Sequence, residues 1–364
     1  MTITYDATEN EIHINGETVS FEDIYNASQT NGWGVVEKQG QRQYRLTAKI
    51  VLGDTSPAIL SDTDVQILFE NVITGTNEKV ITIYGGSKLE LEDADIICDA
   101  PSGNYPVLLI YGTDTDTSYV VFRDVSLKLT EEKGYVSNVN ADFERVVFAR
   151  KISPSTFSGK LHRCTIADTD YAMIRPLNPD IDDVLIRNCK YGFYGGGEVT
   201  YKNVKMIDTI SHCFQYVANG NVYIVDCEWD KNAFSGAGDT GYYYYIQYTV
   251  QVRVKDKDGN WVKDAIVKIY NKNGELVALE YTDANGETPI MTVTRNLYDK
   301  DGNETPYYPF RIEVEKDGMT KYVIKNLDID RKLRLVVALD SQVYEYDDVM
   351  REIKRVKNLI LTKI

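Results

Sequence analysis

The stretch NPDIDDVLIR (178–187) sets Asp180, Asp182 and Asp183 within four residues of one another and places Arg187 four residues on. A second acidic pair, Asp168 and Asp170, precedes Arg175 in ADTDYAMIR (167–175). Paired carboxylates held about 5 to 10 Å apart can act as acid and base. If this chain is an enzyme, Asp180, Asp182, Asp183 and Arg187 are the residues that carry it. The bland reading is that Asp182 and Asp183 stand just before an apolar strand, where acidic residues form a solvated turn. That reading is preferred, and no catalytic residue is expected.

The remaining reactive types point the same way. His13, His162 and His212 are scattered with no nucleophile beside them, and His162 falls in an outward polar column that needs no special role. Cys98, Cys164, Cys189, Cys213 and Cys227 form no CxxC pair, so zinc ligation is not indicated and reduced core thiols are expected. DKDGN occurs at 256–260 and at 299–303, with Gly at the fourth position where a calcium loop has it at the sixth. Both copies read as hairpin turns. Neither metal nor cofactor is expected.

The chain has 364 residues, 43% of them hydrophobic, enough for two cores. Forty basic residues stand against 55 acidic ones, a net charge of −15, which disfavours nucleic acid and anionic membranes as partners. The opening MTITYDATENEIH lacks a basic, apolar leader, and no apolar run approaches the roughly 20 residues of a membrane span. The expectation is a protein made in the cytoplasm that reaches the outside without a signal peptide.

The elements that position these residues repeat. SKLELEDADII (87–97) has counterparts at 65–73, 118–127, 159–166, 183–191, 198–207 and 221–229: an alternating strand, a polar residue, Asn or Asp, then a small apolar residue. Alignment on the small residue gives Val72, Ala94, Val125, Cys164, Cys189, Val204 and Cys227. Those positions span 155 residues in six steps, about 26 each, a period typical of solenoids. Before them stand Asn71, Asp93, Asp124, Arg163, Asn188, Asn203 and Asp226. Asn and Asp tolerate the left-handed region that a sharp corner requires. A line of corners at Asn71, Asp93, Asp124, Asn188, Asn203 and Asp226 is predicted along one edge. Two steps are irregular: 125 to 164 is long, read as an inserted loop at 132–144, and 189 to 204 is short.

These repeats resemble the right-handed, pectin-lyase-like parallel β-helix family. The resemblance implies an architecture over about 55–245, and some members cleave polysaccharides with clustered carboxylates. The usual signatures of the polysaccharide hydrolases on this fold, NxD, DD, GHG and RxK, do not occur here as a set.

Residues 1–54 read as a cap. Ser20 is a helix N-cap with Asp23 at N3, and Val19 and Ile24 form a hydrophobic staple. Phe21, Ile24 and Tyr25 share a face that would cover the open end of the stack. Tyr44, Leu46, Ala48 and Ile50 read as one strand. Short strands, cap helix and GWG (32–34) together are similar to the openings of viral fibre and tail-associated β-helices.

Beyond Trp229 the repeat stops. Residues 246–340 carry about seven short strands joined at DG and NG turns, resembling the carboxypeptidase regulatory-like, transthyretin-like β-sandwich family. In YYYYIQY (242–248) alternation puts half the tyrosines inward as core. The fold class expected is all-β, a parallel β-helix followed by a sandwich and a short C-terminal helix at 341–364. In that tail Tyr346, Val349, Ile353, Val356 and Ile360 step by three and four, a heptad seam for oligomerisation, with a trimer as first guess.

Together these features suggest a structural virion protein, a tail fibre, spike or capsid-attached appendage of a bacterial or archaeal virus. Its partners would be copies of itself, other virion proteins and a host-surface glycan or protein. The alternatives are a polysaccharide lyase or hydrolase, in the manner of a tailspike depolymerase, and a cell-surface adhesin.

Overall fold

The computed structural model describes residues 2–339 apart from 71, 73–77, 100–106, 130–133, 175–176, 178, 195–197, 216–219, 230–233, 236–242 and 300. The described chain is all-β, with a single helix, α1 (Phe21–Asn31). It divides into two compact units, one formed chiefly by the residues up to Tyr243 and one chiefly by those from Tyr244 onward.

In the first unit the strands pair in three parallel ladders, and the chain visits them in turn. Along the first ladder Leu91, Phe122, Phe143, Leu161, Ile181 and Tyr201 stand in register. Along the second, Ile67, Ile96, Leu127, Phe148, Ile166, Ile186, Met206 and Trp229 do so. Along the third, Ile12, Ile50, Ile81, Ile110 and Val136 do so. All but Trp229 are buried, and every rung rests its apolar side chain on the rung before it. Phe143 gathers three rings around it, Phe122 at 5.7 Å, Phe148 at 5.4 Å and Phe157 at 6.3 Å.

The corners between ladders are left-handed. At the first corner Asp64, Asp93, Asp124, Arg145, Arg163, Asp183 and Asn203 all have φ between 48° and 55°. At the second, Arg150, Asp168, Asn188 and Asp208 have φ between 50° and 58°. Asn138 and Thr156 are left-handed at a third corner. Asp93, Asp124 and Asn203 therefore share one edge, and Asp226 has the same conformation, φ 53°. Asn71 lies outside the described residues.

Three expectations need correction. Asn188 is not in that line: Ala167 pairs with Arg187 and Thr165 with Leu185, so Asn188 continues from Asp168 at the second corner, and Asp183 fills its place at the first. The small-residue column shifts likewise, since Ala94 pairs with Val65 and not with Val72, and Cys164 is followed by Val184 and not by Cys189. The long step from 125 to 164 is not a loop insertion. It holds a whole further turn of the stack, with Arg145 at its corner and Val147 opposite both Ser126 and Thr165.

At the N-terminal end the outermost strands are short and antiparallel. Thr2–Asp6 pairs with Glu11–Asn15, and Val36–Gly40 pairs with Gln43–Leu46. Helix α1 carries the predicted capping box between Ser20 and Asp23, ends at left-handed Gly32, and buries Phe21, Ile24 and Ser28. The buried carboxylate of Asp62 accepts from the Phe21 N–H at 2.9 Å and pairs with Arg42, which ties the helix start to the first rungs. Tyr44 to Ile50 is two strands rather than one, Gln43–Leu46 and Lys49–Leu52, with all four apolar residues buried.

The second unit has two sheets. Tyr243–Asp256 runs parallel to Leu333–Leu339, and beside it lie Met291–Asp299 and Glu304–Pro306, which pair as a hairpin. The other sheet is antiparallel and ordered Leu276–Tyr281, Ile266–Tyr270, Phe310–Glu315, Tyr322–Leu327. Val250, Val252, Val254, Val267, Ile269, Ile312, Val314 and Val337 form its core. Tyr244 and Tyr248 are buried and alternate with more exposed neighbours, as period two requires. Among the described residues no helix is long and apolar enough to cross a membrane. The seam residues Tyr346, Val349, Ile353, Val356 and Ile360 lie outside the described residues.

Candidate functional site

The outward rows of the first ladder bring titratable groups from successive turns side by side. Pairing places Arg123, Glu144, His162, Asp182 and Lys202 in one row, and Asp142, Lys160 and Asp180 in the next. Adjacent members of a row stand about 4.8 Å apart, the spacing of neighbouring strands. His162 is thus flanked in register by Glu144 and Asp182. Its Nε2 also lies 3.1 Å from Oδ2 of Asp180, within ion-pair range when the imidazole is protonated but off the line of a hydrogen bond.

The sequence-predicted set is only partly assembled. Asp180 and Asp182 alternate on one strand and share its outer face, about 7 Å apart between Cα atoms by strand geometry. Asp183 is an exposed left-handed corner. Arg187 ends the next strand, beyond that corner, and belongs to the second ladder. Asp168 is the second-corner residue of the preceding turn, and Arg175 lies outside the described residues.

Two carboxylates of these sets, Asp182 and Asp168, have structural work. Asp182 Oδ1 accepts from the Asn203 side chain at 2.6 Å, and Asp168 Oδ1 accepts from Asn188 at 2.7 Å. Glu144 Oε1 accepts from Arg145 at 3.1 Å and Arg163 at 3.2 Å. Two hydrogen bonds from Arg145 to Asp124 hold that carboxyl below the usual carboxylate range and raise the guanidinium. The repeated arrangement is a cross-turn clamp: a corner residue reaches back to a carboxylate one turn earlier.

Sequence reasoning missed Glu144, Arg145 and His162 as members of this cluster. The signal was present, because FERVV (143–147) matches FRDVS (122–126) position for position once Arg is allowed at the corner.

The other candidates resolve into core and turn. All five cysteines are buried and outside any disulfide; burial pushes Cys98 and Cys164 up to about 12 and Cys189 up to about 11, so these three are thiols at neutral pH. The first DKDGN loop folds on its own aspartate: Asp256 Oδ1 accepts from the N–H groups of Asp258 and Asn260, both at 2.9 Å. NKNGE (271–275) and DANGE (283–287) build the same turn on Asn271 and Asp283, and Asp299 accepts from Asn303 in the second DKDGN. Gly259, Gly274, Gly286 and Gly302 sit at positive φ in the four loops. Among the described residues no group of three or more His, Cys, Asp or Glu is placed to hold a metal ion.

No protein-family model matches the chain, and no curated protein does. Among solved structures it is similar over short segments to the Bacillus anthracis TIE protein, with 15% identity and a TM-score of 0.20 over 29% of this chain and 19% of that one. It is also similar to chlorocatechol 1,2-dioxygenase from Pseudomonas putida, with 12% identity and a TM-score of 0.18 over 26% of this chain and 59% of that one.

Proposed function

We propose that the three ladders wind as a parallel β-helix of the pectin-lyase-like kind, that the second unit is a transthyretin-like sandwich, and that the protein is a structural component of a virion. Tail fibre, spike or capsid-attached appendage are the forms this takes, in assembly or attachment to a host surface. One observation carries the reading: corner residues on the outer face of the stack clamp carboxylates of the preceding turn, as in the Arg145–Asp124, Asn188–Asp168 and Asn203–Asp182 pairs. Such pairing stiffens a stack.

The second reading, a polysaccharide lyase or hydrolase, draws on the approach of His162 to Asp180 beside Asp182. Incubation of the full chain with capsular and pectic polysaccharides separates the two. No new reducing ends and no unsaturated products are expected. Turnover that disappears in Asp180→Asn or Asp182→Asn overturns the structural reading. Gene neighbours give an independent check: portal and tail genes favour a virion part, sugar-uptake genes the enzyme.

A further inference from the structure

The outer face of the sheet that ends the described chain combines cations with exposed apolar groups, on a protein of net charge −15. Val252, Val254, Val337 and Leu339 point into the core, so alternation turns Arg253, Lys255, Arg334, Val336 and Ala338 outward. Register sets Gln251 against Arg334, Arg253 against Val336 and Lys255 against Ala338. Trp261 bridges to Lys255 and lies under the Arg253 guanidinium, whose Cζ is 3.9 Å from the ring centroid. Trp261 is 42% exposed and Val336 61%. Arg253 pairs with Glu287 at 3.1 Å and interacts more weakly with the Asp283 carboxylate. Lys255 and Arg334 form no ion pair among the described residues.

The chain itself supplies a complementary segment at the border of this face. Leu339 ends the strand that carries Arg334, Val336 and Ala338, and DSQVYEYDD follows at once as residues 340–348. Those nine residues hold four acidic groups, Asp340, Glu345, Asp347 and Asp348, and no basic one, with Val343, Tyr344 and Tyr346 between them. A strand of six residues is about 20 Å long, so a reversal over three or four residues lets 343–348 span the face. We propose that the acidic, aromatic segment 340–348 docks in cis on the Arg253–Lys255–Trp261–Arg334–Val336 face. Carboxylates meet Lys255 and Arg334, and a tyrosine ring covers the exposed apolar strip. This fixes the root of the tail and leaves Val349, Ile353, Val356 and Ile360 for assembly.

Trp261 reports on the face directly. In a full chain carrying Trp33→Phe and Trp229→Phe, acrylamide quenching of Trp261 is expected to be low. Lys255→Glu with Arg334→Glu should raise the quenching constant roughly twofold, as should Asp347→Lys with Asp348→Lys. All four changes together should restore the low value, which a merely misfolded variant would not do. Quenching that is the same in all four proteins overturns the proposal. Shielding that vanishes on dilution places a second copy's tail on the face and overturns the assignment in cis.

Discussion

Arg145 and Asp124 occupy the same left-handed corner in successive turns, and the guanidinium donates to both carboxylate oxygens at 2.6 Å. The pair is solvent-exposed, so its effect on stability is small and screened by salt. Its signature is in pH. The folded carboxyl of Asp124 lies below its unfolded value, so the contribution is present above about pH 4 and is lost as pH falls through the folded value. Arg145→Ala is therefore expected to lower the denaturation midpoint more at pH 7 than at pH 2. Denaturation followed at both pH values checks this, and an equal loss at both means that the guanidinium acts through packing.

Arg163 tests the corner from the backbone. It holds φ 53°, a conformation that costs a non-glycine residue roughly 1 kcal/mol and a β-branched one more. Arg163→Gly should be neutral or stabilising, and Arg163→Val should destabilise by about 1 to 3 kcal/mol. Chemical denaturation of the two variants gives the comparison. A Gly variant less stable than the Val variant removes the strain argument.

The two corners explain what the sequence hides. Arg145 and Arg150, Arg163 and Asp168, Asp183 and Asn188, Asn203 and Asp208 are corner pairs of successive turns, each five residues apart. Between them lies one short strand, and Asn188-Cys189-Lys190-Tyr191 at the second corner has the same order of corner, apolar, polar, apolar as Asn203-Val204-Lys205-Met206 at the first. An alignment on that pattern has no means of telling one corner from the next, and it placed Asn188 and Cys189 one corner early. The existence of a stack was legible because large apolar residues recur before each corner. The turn through Arg145 was hidden because its corner is not Asn or Asp, and the site around His162 was hidden because it exists only across turns. The helix cap and the inward tyrosines were legible because each depends on a pattern within a few residues.

The interior should respond to truncation where the rings meet. Phe143 is fully buried among Phe122, Phe148 and Phe157. Phe143→Ala is expected to cost about 3 to 5 kcal/mol, with Phe143→Leu costing less because more of the volume is kept. The loss belongs to the unfolding step of the first unit, followed by denaturant titration. A Phe143→Ala change below about 1 kcal/mol would mean that the stacked rungs close over the space.

The four Asx turns of the second unit separate a structural from a metal-binding role. Asn271 is nearly buried and accepts from the N–H groups of Asn273 and Glu275, so Asn271→Ala should cost about 1 to 3 kcal/mol. Asp256 and Asp283 do the same in solvent, and their carboxyls lie below the usual range chiefly because the turn's own groups donate to them. Their contribution is present above about pH 4 and lost below it. Melting temperatures measured with calcium and with a chelator should coincide; a rise of several degrees with calcium that Asp256→Asn abolishes would assign the loops to the ion.

The C-terminal seam is the remaining candidate for assembly. Beyond the docked segment Val349, Ile353, Val356 and Ile360 recur at heptad spacing, and a lone helix of about 12 residues is marginal in water, so the seam needs a partner surface. The N-terminal end of the stack offers little to such a partner, since its outer strands are short and antiparallel and carry Glu37 and Lys38 at the edge. Self-association through the tail is therefore expected, with three copies as the first expectation. Light scattering of the full chain and of a chain ending at residue 340 measures it. The full chain should have about three times the monomer mass and the shortened chain the monomer mass. A full chain that is monomeric, or an oligomer that survives the deletion, means that copies meet elsewhere, and the exposed strand Leu276–Tyr281 at the edge of the antiparallel sheet is then the next surface to change.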